Sequence, residues 1–414
     1  MAYMAYKETE LNLPAEEKVT FNLHKLVLTL FVAGLIAVLS SSAMYNPYSP
    51  PTYRLPVAGA LLTLILLLSG FRIGKFSMWR LISLFVWTGF AIMSFLSAMN
   101  HRDPLLPEAW LFFGVPLIIF TAFPRTANRY GIIMVLSATV LAFGPFIAAS
   151  LILHPVYMPY AGVFVNTPMF GMIMATFSAA LFSLLRGALN HRKMNFINLV
   201  WECMLGFGIV VSFILILFSG SRTGFTSFVT IYLIFVGSLF FDISKNRVAI
   251  MLAVTGFVAI FGYLLYSLAM DASGNSVMDT LVRKFLNKTV QGDVLGGRVN
   301  IWKGAVEDIR ILGMGASFFY DMPAHNDYVM ILATKGPVTV FFAIAVRILA
   351  LYLALRWTFF GIRQDGYALG PLLMIINFLI LGLAENAGGT LGNGINMTFL
   401  LMAGILFNQG QYLR

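Results

Sequence analysis

The sequence predicts an all-α polytopic membrane protein with about 12 transmembrane helices. Of the 414 residues, 59% are hydrophobic and only 11% charged, where a soluble domain carries about a quarter charged residues. Mean hydropathy is +0.85. The apolar residues fall into closely spaced runs of about 20, the length a helix needs to cross the hydrocarbon core of a bilayer. A soluble core this large with so little polar surface would aggregate.

The net charge of +10 does not imply nucleic acid, because the basic residues sit in short loops between apolar runs and form no single basic face. The single cysteine, Cys203, lies inside an apolar run, so neither an intramolecular disulfide nor a cysteine-based metal site is expected. Residues 1–24 are polar and mixed in charge. They read as a cytoplasmic segment rather than a cleavable signal, leaving the first span to direct insertion.

In chain order, spans are expected over about 25–44, 54–70, 77–99, 106–123, 130–153, 163–185, 196–218, 223–241 and 248–270. A polar interval, 271–327, follows. The last block, 328–414, holds three more spans over about 328–355, 367–383 and 395–407, then a short C-terminal tail. Basic residues favour the cytoplasmic side of short loops. One set of alternate loops holds Arg72, Lys75, Arg80, Arg125, Arg129, Arg186, Arg192, Lys193, Lys245, Arg247, Arg356 and Arg363; the other holds little beyond Arg54, Arg102 and Arg222. Both termini are therefore expected in the cytoplasm and 271–327 outside. In a bacterial inner membrane that outside is the periplasm, which lacks nucleotide sugars, so group transfer there needs a donor already activated on a carrier.

Within the polar interval, Val299, Trp302, Ala305, Val306 and Ile309 recur at three- and four-residue steps, the pattern of an amphipathic helix lying on the membrane or roofing the bundle. Gly296 and Gly297 precede it, and Gly313 and Gly315 follow it as breakers.

A few polar residues carry chemical promise. Arg222 stands in the short turn Ser219-Gly220-Ser221-Arg222-Thr223-Gly224 between two spans. A charge at the hydrocarbon boundary is costly, a guanidinium fork suits two phosphate oxygens, and flanking glycines admit backbone amides to an anion. Snorkelling to lipid headgroups is the plainer account. His325 is the only histidine in the polar interval, and an imidazole can accept a hydroxyl proton near neutral pH. Asp327 offers an alternative base, while Asn326 or Asp327 would also cap the following helix. Arg298 opens the amphipathic helix, where it would hold an anion or exchange ion pairs with Glu307, Asp308 or Asp293. Lys335 falls about 15 Å below His325 on a straight helix and precedes Gly336-Pro337. At that depth it calls for a partner, for which Glu385 is the candidate. Arg347, deeper on the same helix, is expected to snorkel to the cytoplasmic side. His101, Arg102 and Asp103 form an outer loop suited to a second phosphate contact, an alternative base, or an ordinary turn. No paired-acid motif announces a metal, and no nucleotide-binding loop is present.

At three places the chain resembles the O-antigen ligase and O-antigen polymerase superfamily of bacterial inner-membrane proteins. These are Ser221-Arg222-Thr223-Gly224, Gly297-Arg298 with Trp302 and Gly313-Met314-Gly315, and His325-Asn326 with Leu332 and Gly336. The match covers about the second half of the chain; Lys335 departs from it, since an acidic or neutral residue is more usual there. The resemblance implies a C-type glycosyltransferase fold; the missing acid pair favours chemistry without metal, and no other cofactor is expected. The resemblance further implies transfer of a glycan from undecaprenyl diphosphate to a hydroxyl of lipid A-core, with inversion, within the membrane lipids. It assigns His325 to the acceptor hydroxyl and Arg222 and Arg298 to the diphosphate. Beside these, Ser221, Asn326, Asp327, Lys335 and Arg102 are expected to line the substrates.

The ligase version is favoured by His325 and Arg298. Two alternatives stay open: a polymerase using the same donor, and a lipid or glycan flippase. The chain shows no internal repeat of the kind transporters carry, and its candidate charges gather toward one face.

Overall fold

The structure, a computed structural model, describes residues 23–44, 53–69, 78–102, 129–190, 196–240, 298–307, 309–319, 324–361, 365–386 and 393–409. They form helices α1 (Leu23–Ser40, extended by a 3-10 turn Ser41–Met44), α2 (Arg54–Ser69), α3 (Met78–Asn100), α4 (Arg129–Leu153), α5 (Thr167–Leu189) and α6 (Phe196–Ser219). Then come α7 (Arg222–Leu239), α8 (Arg298–Glu307), α9 (Asp327–Lys335), α10 (Pro337–Gly361), α11 (Gly370–Ala384, led by a turn at Gly366–Leu369) and α12 (Gly394–Gln409). No strand occurs among the described residues. Eight described helices are long and apolar enough to cross a membrane, namely α1, α3, α4, α5, α6, α7, α10 and α11; α2 and α12 are shorter apolar helices. The described residues are thus all-helical, in a protein of multi-pass membrane type. The spans expected over 106–123 and 248–270, and positions 271–297 of the polar interval, lie outside the described residues.

Burial ranks the helices. In α5 and α11, 83% and 72% of the apolar window is buried, against half or less in the other long spans, so these two form the centre. Beside aromatic packing of Phe182 on Phe228 and Phe235, polar bonds link them with α7: Ser227 Oγ donates to Asn377 Oδ1 at 2.8 Å, and Asn377 Nδ2 donates to Thr176 Oγ1 at 3.0 Å. In hydrocarbon such bonds tie helices together by about 0.5–2 kcal/mol each. Close backbone approach does the rest. A Cβ on Gly224 would sit 2.7 Å from the Gly171 carbonyl oxygen, so α5 and α7 cross at their glycines.

These contacts fix which ends lie together. Ser221 at the head of α7 packs on Gly171 near the start of α5, whereas Gly366 and Tyr367, leading into α11, pack on Arg186 and Gly187 at the other end of α5. Helix α11 therefore finishes where α7 begins. Ser227 is about 7.5 Å along α7 from Arg222, and Asn377 about 12 Å along α11 from Glu385. Their hydrogen bond thus puts Arg222 and Glu385 at levels within about 5 Å of each other.

The expected single span over 328–355 is instead a helical hairpin. Asp327 and Arg347 are 20 residues apart yet joined at 3.0 Å; a continuous helix would hold them about 30 Å apart. The chain reverses at Gly336, whose φ is 90° and whose Cβ, if present, would collide with the Ile311 carbonyl. Pro337 starts α10, a position where its missing N–H costs nothing. The break would orphan the last carbonyls of α9, and neighbours take them up. Met314 N donates to Ala333 O at 2.7 Å, while Gly315 N and Ser97 Oγ donate to Thr334 O at 3.1 Å each. Helix α9 is thus a half-helix that returns toward the end of the bundle where α3 stops.

Candidate functional site

The site is built on the C-terminal end of α11. A helix end leaves its last carbonyls without intrahelical donors and carries partial negative charge, and two residues from the polar interval exploit this. Arg298 Nη1 donates to Ala384 O at 2.9 Å, and Asn326 Nδ2 donates to Leu383 O at 2.8 Å. The same asparagine accepts from Tyr328 N and Val329 N at 2.9 and 3.0 Å, capping α9, and its own N–H donates to Asn386 Oδ1 at 3.1 Å. Asn326 is accordingly a clamp between α9 and α11, and its polar atoms serve the fold.

Glu385, the first residue beyond α11, bridges the two candidate reactive groups. Its Oε2 accepts from His325 Nδ1 at 2.8 Å, and its Oε1 lies 3.4 Å from Arg298 Nη2. A carboxylate only accepts, so Nδ1 carries the proton and Nε2 holds the lone pair in neutral imidazole. The side chain of His325 is 37% exposed, that of Arg298 21% and that of Glu385 10%. The carboxylate is therefore covered while the imidazole reaches the open side. His325 adopts a left-handed φ of 49°, a conformation costing a non-glycine residue about 1–2 kcal/mol, held by the cap on one side and by Trp302 Nε1 donating to Ala324 O at 2.9 Å on the other.

The amphipathic helix expected in the polar interval is α8, and its packed face matches in part, at Trp302 and Ala305. Ala305 is fully buried and Ile301 packs beside it against Ala324 and Ala333, whereas Val299 and Val306 are exposed and Ile309 lies beyond the helix. Among the contacts of Arg298 is Glu385, outside its own segment; Glu307 pairs instead with Lys303 at 3.7 Å.

Several expectations are corrected. Glu385 serves His325 and Arg298 rather than Lys335, whose ammonium lies 5.8 Å over the Phe90 ring. Arg347 does not snorkel away from the site: it is buried against Asp327. Asp327 is fully buried in that pair, so it presents no carboxylate to a substrate. Ser221 is a buried N-cap of α7, its Oγ accepting from Gly224 N at 3.1 Å, which also commits the amide expected to face an anion. His101 Nε2 donates to Gly313 O at 3.0 Å and supports the loop under α9. Arg102 is exposed at the end of α3 with a φ of 48°. Arg222, half-buried at the head of α7, stands at the level of the cluster. Among the described residues no group of three His, Cys, Asp or Glu stands close enough to hold a metal ion.

The cluster is arranged for moving a proton beside a fixed positive charge. Nε2 of His325 is oriented by Glu385, and Arg298 offers a guanidinium within reach of the same carboxylate. The sequence offered Glu385 only as a partner for Lys335; the signal that it needs partners of its own is its place just past a helix, where the dipole disfavours an acid. Compared with known proteins, the chain matches no family model and no curated protein.

Proposed function

We propose that the protein is an inverting glycosyltransferase of the O-antigen ligase type, passing a glycan from undecaprenyl diphosphate to a hydroxyl of lipid A-core at the periplasmic face of a bacterial inner membrane. The observation that carries the reading is the His325–Glu385–Arg298 cluster at one end of a membrane-type bundle. It is supported by the segments in which Arg222, Arg298 and His325 resemble the ligase superfamily. On this reading the bundle has about 12 spans with both termini cytoplasmic.

Nε2 of His325 takes the proton of the acceptor hydroxyl as its oxygen attacks the anomeric carbon. The bond from that carbon to the diphosphate oxygen breaks, and the diphosphate leaves with its electron pair. Glu385 stabilises the imidazolium that forms, as a carboxylate does behind any histidine base. Arg298 and Arg222 stabilise the charge growing on the leaving diphosphate, already a competent leaving group, so orientation and charge stabilisation carry most of the rate.

The half-helix α9 and the buried Asp327–Arg347 pair favour a second reading, a flippase, since broken helices and deep charges mark transport sites. One assay separates the readings. Purified wild-type protein with lipid-linked glycan and lipid A-core is expected to yield glycosylated core. Longer lipid-linked chains with no glycosylated core would identify a polymerase instead, and transbilayer movement without any new glycosidic bond would identify a flippase.

A further inference from the structure

The Asp327–Arg347 pair takes no direct part in the chemistry above, yet it is the most deeply buried ion pair among the described residues. The side chains are 0% and 7% exposed, and Nη2 meets Oδ2 at 3.0 Å. The guanidinium also lies 4.5 Å from the Tyr328 ring and 5.3 Å from the Phe378 ring. Arg347 is about 15 Å along α10 from Pro337, so the pair sits well inside the apolar bundle. Ala343, one turn nearer the reversal on the same face of α10, is small and buried.

A buried pair in such surroundings is a poor way to gain stability, because desolvation offsets much of the attraction and apolar residues of equal volume hold helices as well. What a charge pair adds is register: the Nη2–Oδ2 bond, made by a planar guanidinium lying over the Tyr328 and Phe378 rings, fixes depth and rotation together. Helix α9 needs that. It is only 9 residues long, it ends in a reversal, and the residue two before Asp327 is His325, held in a left-handed conformation. Gly382 of α11 leaves room for the carboxylate: a Cβ there would lie 2.8 Å from Asp327 Oδ2.

We infer that Asp327 and Arg347 are positioning residues that set the depth and rotation of half-helix α9 and so hold His325 against Glu385. The assignment of catalytic consequence rests on the proposed role of His325.

The test uses the full chain in nanodiscs, with Asp327→Asn, Arg347→Met and the two combined, read by thermal unfolding, by deuterium uptake over 324–335, and by kcat and KM. Each single change strands a buried charge and lowers the unfolding midpoint; the double variant leaves no charge stranded and recovers part of it. In that refolded double variant, uptake over 324–335 is expected to rise at least about threefold and kcat to fall at least about tenfold with KM for the donor within about twofold, as misplacement by a fraction of an ångström produces. Wild-type uptake and wild-type kcat in the double variant would overturn the inference. Arg347→Lys keeps the charge and loses the planar group that lies over Tyr328 and Phe378, so it serves if the double variant does not fold; raised uptake supports the inference and unchanged uptake overturns it. Deuterium uptake does not depend on glycosyl transfer, so a fully active His325→Ala variant would remove the proposed function while leaving the register of α9 to be decided by its own readout.

Discussion

Replacing Glu385 with glutamine keeps the shape of the side chain and removes its charge, and the structure allows the consequence to be sized. Two donors converge on the carboxylate, His325 Nδ1 at 2.8 Å and Arg298 Nη2 at 3.4 Å. An amide has one accepting oxygen, so one donor must face its NH2. If the oxygen stays with His325, the imidazolium formed during proton transfer loses a charge-assisted hydrogen bond. Such bonds are worth about 1.5–3 kcal/mol; because the imidazole is about a third exposed and water screens the pair, the lower end applies. At about 1.4 kcal/mol per factor of ten, that is about a tenfold loss in kcat. If the amide flips, its NH2 forces the imidazole into the tautomer with its proton on Nε2, and the base is lost, a change that costs about 10⁴ where it occurs in serine hydrolases. The expected outcome for Glu385→Gln is thus a kcat reduced between about ten- and 10⁴-fold, with KM for the donor little changed. The assay is transfer from lipid-linked glycan to lipid A-core by purified protein whose unfolding midpoint matches wild type. A Glu385→Gln enzyme with wild-type kcat would refute the coupling of Glu385 to His325.

Three further changes probe the scaffold. Gly336→Ala places a methyl group against the Ile311 carbonyl at a φ of 90°; a strain of at least about 1–3 kcal/mol should lower the yield of folded protein, seen by fluorescence-detected size exclusion. Asn326→Ala removes the cap of α9 and its tie to Leu383, costing about 1 kcal/mol or more, with a lower unfolding midpoint and reduced transfer. Asn377→Leu breaks the bonds to Ser227 and Thr176, at about 0.5–2 kcal/mol apiece, and should be detected as a lowered midpoint with the α5–α7–α11 packing loosened.

The bundle was legible because apolar runs of span length have little alternative to membrane helices, and α1, α3 and α5 fall within a few residues of their expected bounds. The interior of the run after His325 was not legible in the same way. Measured along a straight helix, Lys335 lies near mid-membrane and Arg347 near the far side, and the expected Glu385 partner of the one and the snorkelling of the other followed from that geometry. The reversal at Gly336 cancels it, bringing Arg347 to Asp327 and releasing Glu385 to His325. A signal was present: glycine just past one helix and proline at the first position of the next is the signature of a stop and a restart. The face of α8 was assigned only in part, for a different reason: Ala305 is buried as expected, but Val299 and Val306 fit the helical period as well as Ile301 does, and only packing on Ala324 and Ala333 selects between them. Arg298 and Asn326 stood out as polar residues at helix starts, but their use of the Leu383 and Ala384 carbonyls is long-range and leaves no local trace in sequence.

The central claim is that His325 removes the acceptor proton in transfer from a lipid diphosphate. Its most direct measurement is release of undecaprenyl diphosphate by purified wild-type and His325→Ala proteins, each given lipid-linked glycan and lipid A-core and each shown to be folded. Release matched one for one by glycosylated core in the wild type, and absent from His325→Ala, is the predicted result. Equal release by both proteins would contradict it.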